Sequence, residues 1–131
     1  MLTILVSLSI AMFIPLFLAI GSIKYRAAQF GQPDIQHPRD QAAKLTGAGQ
    51  RIIAAQHNAW EALALFVTAL VICTLSGVQV EQLSSPALLF IGARIAHAVF
   101  YIAGRGELRF VAFFASVVSL IWMLTIAFTS L

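Results

Sequence analysis

Polar and ionisable residues recur at helical spacing within two stretches of the chain that are otherwise apolar. They are Arg51, Asn58 and Glu61 in the first stretch, and Arg94, His97, Tyr101 and Arg105 in the second. Intervals of three, four and seven residues place each set on one face of its own helix. An ionisable group at the centre of a membrane span costs about 2.5 to 3.5 kcal/mol or more, and it persists when it is paired or faces a cavity. The two stripes therefore predict a polar pocket for a charged, hydrogen-bonding small molecule.

The two stripes are predicted to meet through an ion pair between Glu61 and Arg94. If the two spans begin and end where the apolar runs do, both side chains lie about 14 Å deep at a rise of 1.5 Å per residue. The same count places Asn58 near the level of His97. A simpler alternative is that these polar contacts only hold the helices together in lipid. The convergence of many polar groups of both signs at one end of the bundle favours the pocket.

Other chemistries find little support in the sequence. Cys73 is the only cysteine, so the chain can form no internal disulfide. His37, His57 and His97 do not stand at metal-ligand spacings, and we expect no metal site. The net charge of +3 comes from basic residues that are scattered singly, so we expect no nucleic-acid partner.

The composition indicates an all-α integral membrane protein. Hydrophobic residues make up 60% of the 131-residue chain, charged residues 10%, and the mean hydropathy is +0.92. A membrane helix needs about 20 apolar residues, which leaves room for four spans and no second domain. We therefore predict a single four-helix membrane domain over residues 1–131. Its spans are expected at about 2–23, 52–75, 87–103 and 108–129, with the second helix beginning in water from about Gln41 and the first kinked at Pro15.

The distribution of Lys and Arg predicts the topology. The first loop carries five of these residues, the second none, and the third connection two. By the positive-inside rule, loops 24–51 and 104–108 face the cytoplasm and both termini lie on the opposite side. The first span lacks a basic leader and a clear cleavage site, so we expect it to be retained. We expect a multi-pass protein of a bacterial inner membrane.

Two motifs resemble those of the MAPEG family, the membrane-associated proteins in eicosanoid and glutathione metabolism. Residues 51–66, RIIAAQHNAWEALALF, resemble its second-helix signature of Arg, Asn, Glu three residues later, and an apolar run ending in Phe. Residues 94–101, RIAHAVFY, are followed by Arg105 and Arg109 and resemble the family's Arg-x-x-His/Tyr-x-x-x-Tyr stretch with its downstream arginine. Residues 30–34, FGQPD, resemble the Asn-Pro-Glu/Asp turn of its first loop. The resemblance extends over nearly the whole chain.

This resemblance implies a homotrimer that binds glutathione as a co-substrate between subunits, near the cytoplasmic side. Carried over position by position, it implies a tripeptide site lined by Arg51, Asn58, Glu61, Arg94, His97 and Tyr101, with Gln56 as a further member. The arginine that stabilises the glutathione thiolate would be Arg109, with Arg105 as the alternative. Ala54 departs from the pattern, because several family members have there an arginine that grips a glutathione carboxylate.

Pocket and resemblance together lead to one functional expectation and one alternative. The first is a glutathione-dependent membrane transferase or peroxidase that acts on small lipophilic electrophiles or hydroperoxides dissolved in membrane lipid. The alternative is a non-catalytic membrane protein of the same scaffold that binds a lipid, an anion or a partner protein. Small multidrug transporters of similar length carry a glutamate in their first span, and span 2–23 contains none.

Overall fold

Each of the four apolar runs forms a long helix in the computed structural model, which describes residues 1–131. The helices are α1 (Leu2–Phe30), α2 (Pro38–Ala43), α3 (Gly47–Leu75), α4 (Ser84–Ile102) and α5 (Gly106–Thr129), with one 3₁₀ turn (Val80–Leu83) before α4. All of them except α2 and the 3₁₀ turn are long and apolar enough to cross a membrane. The chain is therefore an all-α, multi-pass membrane protein, as its composition predicts.

The helices form two packed pairs that α3 and α4 join. α1 lies along α3 and α4 lies along α5, while α3 also contacts both α4 and α5. Phe66 on α3 and Phe90 on α4 stack with their ring centroids 4.4 Å apart, and both are fully buried. Met123 on α5 completes this part of the core. The aromatic stack thus fixes α4 against α3 just below the polar stripes.

Small residues allow α1 and α3 to pack closely. The buried face of α3 carries Ala55 and Ala59, and Gly49 lies at its first turn. A Cβ added to Gly49 would lie 3.1 Å from the Cβ of Tyr25 on α1 and 3.0 Å from a terminal carbon of Leu45. Side chains of this size let helix backbones approach, which is how helices associate where lipid removes the hydrophobic driving force.

The outward faces of the long helices are strongly apolar. Large side chains such as Phe17, Ile20, Phe110 and Val111 are each more than 60% exposed. A surface of this kind has to be covered by lipid or by another protein subunit.

The second long helix begins later than its sequence predicts. We expected it from about Gln41, but α2 ends at Ala43 and α3 starts at Gly47. Thr46 is extended and Gly47 takes a positive φ of 57°, so the backbone leaves the helical conformation between the two segments. The first helix in turn extends to Phe30, beyond the predicted span end at residue 23, and so carries Lys24 and Arg26 on its last turns.

Side-chain hydrogen bonds hold the first loop in one conformation. The Asp34 carboxylate accepts the backbone N–H groups of Gln36 and His37, both at 2.8 Å. The Gln41 side chain accepts the N–H of Asp34 and donates to the carbonyl of Gln32, each at 2.9 Å. These bonds place α2 beside the cytoplasm-facing ends that we predict for α1 and α3.

Candidate functional site

Arg94 is the centre of the polar cluster. It lies on α4, points toward α3, and is only 4% exposed. One of its terminal nitrogens donates to the side-chain oxygen of Asn58 at 2.5 Å and to the backbone oxygen of the same residue at 3.3 Å. A buried guanidinium has to be hydrogen-bonded to be tolerated, and Asn58 supplies both acceptors.

Asn58 connects Arg94 with Glu61, and this corrects the predicted ion pair. The Asn58 amide nitrogen donates to a Glu61 carboxylate oxygen at 3.4 Å. No salt bridge within 4.0 Å joins Glu61 to Arg94. The prediction of a direct pair was wrong by one helical turn: Asn58, three residues before Glu61, lies opposite Arg94. Three residues correspond to about 4.5 Å along a helix, which is finer than the ends of an apolar run can define.

His97 and Tyr101 continue the cluster toward the end of α4. A ring nitrogen of the buried His97 lies 3.4 Å from the Arg94 guanidinium. The rings of His97 and Tyr101 meet edge to face, with centroids 5.4 Å apart. Arg94 therefore lies between Asn58 and His97. The sequence analysis expected Asn58 and His97 to lie at about the same depth.

Arg109 reaches this cluster and Arg105 does not. The turn 103–105 joins α4 to α5, and Arg109 lies in the first turn of α5. Its guanidinium carbon lies 4.4 Å from the centre of the Tyr101 ring, within the range of a cation–π contact. Arg105 is the N-cap of α5, is exposed, and makes no side-chain hydrogen bond. Of the two arginines considered as thiolate stabilisers, the geometry thus favours Arg109.

Arg51 lies at the outer end of the stripe and binds the end of α4. Its Nε donates to the carbonyl of Ile102 at 3.0 Å, and its guanidinium lies beside Gly104. The last carbonyls of a helix have no partners within the helix, and a cation there also interacts favourably with the helix dipole. Arg51 therefore fixes the register between α3 and α4, a structural role that the spacing analysis did not assign to it.

A small cavity opens beside Arg94, between α3, α4 and α5. Its volume is about 180 Å³. The polar end is formed by Asn58, Glu61 and Arg94, and most of the rest by apolar side chains that include Leu65 and Phe113. Glu61 is exposed although it lies in a membrane-length helix. A carboxylate at this position needs water, a ligand or a neighbouring subunit beside it.

Gln56 does not lie in this cluster, and its place in the tripeptide site, which the resemblance implies, stays a prediction. It lines a separate cavity on another face of α3, together with Arg26, Arg39, His57 and other residues. Residues two apart on a helix point about 200° apart, so Gln56 and Asn58 cannot share one face. Helical phase alone would have placed Gln56 on a different face of α3 from Asn58, and it would also have shown that residues 53, 56, 57 and 60 form a face of their own.

The cluster can bind a small molecule that carries both signs of charge. Arg94 and Arg109 provide cationic groups, Glu61 an anionic group, and Asn58 and Tyr101 neutral hydrogen-bonding groups. Sequence reasoning named all five residues: four because polar side chains in membrane spans are conspicuous, and Arg109 because the family resemblance implies it. It missed the cavity that contains Arg26 and Arg39, because those residues lie in the charged loop region where single basic residues are ordinary.

Comparison with known protein families matches the chain to the MAPEG family over residues 2–129. The match includes all four membrane-length helices and the whole polar cluster. A search of curated proteins finds no match to the chain. The resemblance seen in residues 51–66 and 94–101 is thereby confirmed as family membership. With its four membrane-length helices and the polar cluster between α3, α4 and α5, the chain belongs to the MAPEG family.

Proposed function

We propose that the chain is a glutathione-dependent membrane transferase or peroxidase. One observation carries the proposal: charged and polar side chains of three helices converge at the same end of the bundle. They are Asn58 and Glu61 from α3, Arg94, His97 and Tyr101 from α4, and Arg109 from α5. Membership of a glutathione-linked family agrees with a charged tripeptide as the ligand. Because Ala54 replaces an arginine that several family members use to bind a glutathione carboxylate, the carboxylates of the ligand would have to bind to the other arginines of the site.

The proposed chemistry uses the thiolate of glutathione. A thiol with a pKa of about 8.5 is only a few per cent ionised at neutral pH, and a nearby guanidinium favours the thiolate. The thiolate adds to an electrophilic carbon, a C–S bond forms, and the leaving group departs with its electron pair. With a hydroperoxide, the thiolate attacks the terminal oxygen, the O–O bond breaks, and the alkoxide takes a proton. The sulfenic acid then condenses with a second glutathione to give a disulfide and water.

Arg109 is the proposed stabiliser of the thiolate. It stacks on Tyr101 at the start of α5, so its charge is held at one place next to the cluster. Arg94 is already hydrogen-bonded to Asn58, and it would act on ligand affinity. Arg51, bound to the end of α4, would support the site mainly by fixing the helix register.

The second substrate is expected to arrive through the membrane. The cavity beside Arg94 continues from its polar end along Leu65, Phe90 and Phe113 toward Leu120. Such a lining suits a lipophilic electrophile or hydroperoxide that partitions into the bilayer, whereas the charged tripeptide would enter from water.

The complete site is proposed to lie between subunits of a homotrimer. Pockets for small ligands measure roughly 300 to 1,000 Å³. The cavity beside Arg94, at about 180 Å³, is too small by itself for a tripeptide. The exposed carboxylate of Glu61 also lacks cover in a single chain. A neighbouring subunit would enlarge the site and shield Glu61 from lipid.

The orientation follows from the charges of the loops. Loop 24–51 holds most of the basic residues, so it and loop 104–108 are proposed to face the cytoplasm. The termini would then lie on the opposite side, and the glutathione site near the cytoplasmic face. A bacterial inner membrane is the proposed location.

Calorimetric titration of glutathione into the detergent-purified protein tests the proposal. We expect saturable binding that Arg94→Leu weakens at least tenfold. Lys24→Gln, an exposed charge change outside the cluster, should leave the binding unchanged. Absence of heat at millimolar glutathione would contradict the proposal and leave the alternative, a non-catalytic protein of the same scaffold. The departure at Ala54 is the observation that favours this alternative.

A further inference from the structure

An apolar groove runs along the outside of the α4–α5 pair. It has a volume of about 420 Å³, and nine of its ten lining residues are hydrophobic. The tenth is Gly92, where an added Cβ would meet nothing within 4 Å. Gly92 and Ala96 stand two residues before and two residues after Arg94, so helical phase turns both about 160° away from it. The groove is therefore separate from the proposed glutathione site.

Small residues form the floor of this groove, and larger side chains form its sides. Ala93 and Ala112 are buried where α4 meets α5, whereas Leu88 and Val111 are 60% and 63% exposed. Glycine inside a helix is less favourable than alanine, and no contact within the chain uses the space that Gly92 leaves open. This space suits a molecule from outside the chain.

The length of the groove matches one leaflet of a bilayer. Along α4 it extends from Leu88 to Phe100, and twelve residues correspond to about 18 Å. The hydrocarbon core is about 30 Å thick, so one leaflet fills about 15 Å of it. A membrane-spanning partner helix would need a groove over the whole thickness. The length therefore favours a lipid acyl chain as the occupant.

A polar cavity continues the groove at the turn between α4 and α5. It has a volume of about 550 Å³ and is lined by the consecutive residues 104–108. Leu108 lines both the polar cavity and the groove. The turn joins two membrane-length helices, so it lies at the membrane surface, among the lipid headgroups. An acyl chain in the groove would therefore have its headgroup in this cavity.

The polar cavity offers one charge of each sign. Arg105 and Glu107 both line it, both are exposed, and neither makes a side-chain hydrogen bond or a salt bridge within the chain. Arg105 is the N-cap of α5, where the first backbone N–H groups have no partners in the helix and the helix dipole favours an anion. A phosphate suits this end of α5, and a cation suits Glu107.

We infer that the groove between α4 and α5 binds an acyl chain of a phospholipid whose headgroup carries a primary amine, with the phosphate beside Arg105 and the ammonium group beside Glu107. An anionic headgroup without an amine would place a like charge near Glu107. A quaternary ammonium group could donate no hydrogen bond to the carboxylate. The inference goes beyond the proposed glutathione chemistry and does not require it.

Native mass spectrometry of the full chain, purified in detergent and stripped of lipid, tests the inference. The protein is titrated with phosphatidylethanolamine, phosphatidylcholine and phosphatidylglycerol that carry the same acyl chains. We expect one phosphatidylethanolamine per chain to bind at a roughly two- to fivefold lower concentration than either other lipid, the range of an exposed ion pair. Glu107→Gln should remove this preference, and Arg105→Gln should weaken the binding of all three lipids severalfold.

Gly92→Leu tests the groove itself, because its side chain would fill the space that the acyl chain needs. It should weaken the binding of all three lipids severalfold. Ala28→Leu is the control, because it enlarges an exposed residue of α1 outside both cavities, and it should bind phosphatidylethanolamine as the unaltered protein does. Arg105 and Glu107 are exposed, so their variants test the headgroup even where Gly92→Leu does not fold.

Three results would overturn the inference. The first is lipid binding that Gly92→Leu leaves unchanged. The second is equal binding of the three lipids, or a preference for phosphatidylglycerol, which would assign the polar cavity to an anionic headgroup. The third is a change in the number of chains per particle in Gly92→Leu without loss of lipid, which would make the groove a contact between subunits.

Discussion

Asn58 holds the polar cluster together because its amide group offers a donor and an acceptor at the same time. Its oxygen accepts from Arg94 and its nitrogen donates to Glu61. A side chain with one kind of group could satisfy only one of these partners. The cation and the carboxylate are thereby held close together without contact, and the carboxylate stays exposed for a ligand.

A double-mutant cycle tests this bridging role. Asn58→Leu and Arg94→Leu should each destabilise the protein, because the first leaves the buried Arg94 guanidinium, and the second the partly buried Asn58 amide, without its partner. The double variant should cost less than the sum by about 0.5 to 3 kcal/mol. Unfolding in mixed detergent and dodecyl sulfate provides the measurement. The cycle of Glu61→Gln with Arg94→Leu is the comparison, and its coupling should be smaller. Equal coupling in both cycles would indicate the direct ion pair that the structure does not show.

Arg109 carries the largest expected effect on catalysis. Arg109→Ala should lower turnover roughly 10- to 1000-fold, as the loss of one electrostatic stabiliser does, while the affinity for glutathione changes only severalfold. Arg105→Ala, which removes an exposed arginine without partners, is the matched control and should leave turnover within about threefold. Initial rates of glutathione conjugation to a lipophilic aryl halide measure both. The opposite ranking would move the role to Arg105.

The residue types of the site could be predicted from the sequence, but their pairing could not. Polar side chains in apolar runs identify Arg94, His97 and Tyr101 by their rarity and by their spacing. The partner of Arg94 depends on the relative height of two helices. That height is fixed by the bond from Arg51 to Ile102 and by the Phe66–Phe90 stack, which are tertiary contacts. No local pattern in either helix encodes them.

At the scale of the elements, the contact between α1 and α3 depends on the absence of a side chain at Gly49. Gly49→Val places methyl groups where the Tyr25 and Leu45 side chains already lie, and it should destabilise the protein by about 1 to 3 kcal/mol. Gly92→Val is the matched control, because a Cβ at Gly92 meets nothing within 4 Å. The same detergent unfolding measures both variants. Equal destabilisation would show that helix propensity, and not close packing, determines the effect.

The first loop should lose its order in acid. The backbone hydrogen bond from His37, together with that from Gln36, lowers the pKa of Asp34 below its ordinary value of 3.8. A carboxyl group whose pKa is lower in the folded state stabilises the fold above its unfolded-state pKa, and this contribution is lost as the pH falls through the folded-state value. Hydrogen exchange at the amides of Gln36 and His37 should therefore be slowed at about pH 6, and this protection should be lost as the pH falls through the lowered pKa of Asp34.

Asp34→Asn is the control for this pH dependence. Asparagine keeps an acceptor for the two N–H groups but does not titrate in this range. Exchange in the variant, corrected for its intrinsic dependence on pH, should no longer change on acidification. Loss of protection in both proteins would trace the effect to another group.

The sequence predicts the number of long helices correctly, but it predicts their first and last residues only in part. Four apolar runs predict four long helices, and four are present. The start of α3 was misplaced because residues 41–44 favour a helix locally, whereas Thr46 and Gly47 leave the helical conformation. This break between α2 and α3 depends on tertiary contacts of α2: Arg26 of α1 donates to the carbonyl of Pro38, and Gln41 donates to the carbonyl of Gln32. The glycines at positions 47 and 49 were the available signal.

For the molecule as a whole, the polar cluster lies at one end of the helix bundle, and its carboxylate, Glu61, is exposed. The apolar outer faces of the helices suit a bilayer, and the proposed trimer would cover the exposed Glu61 and enlarge the small cavity beside Arg94. The apolar composition predicts that the chain is a membrane protein, and the charges of the loops predict which side of the membrane each loop faces. The arrangement of subunits depends on shape complementarity between surfaces, which the spacing of residues along the sequence does not describe.

The central claim is that the cluster binds glutathione and ionises its thiol, and ultraviolet difference spectroscopy of the bound tripeptide tests it most directly. Glutathione added at neutral pH should give the absorbance of a thiolate in an amount that saturates with the sites, far above the few per cent expected in water. Arg109→Ala should retain binding but lose the thiolate signal. Bound glutathione without thiolate absorbance in the unaltered protein would contradict the claim, and no binding at all would remove the site from glutathione chemistry.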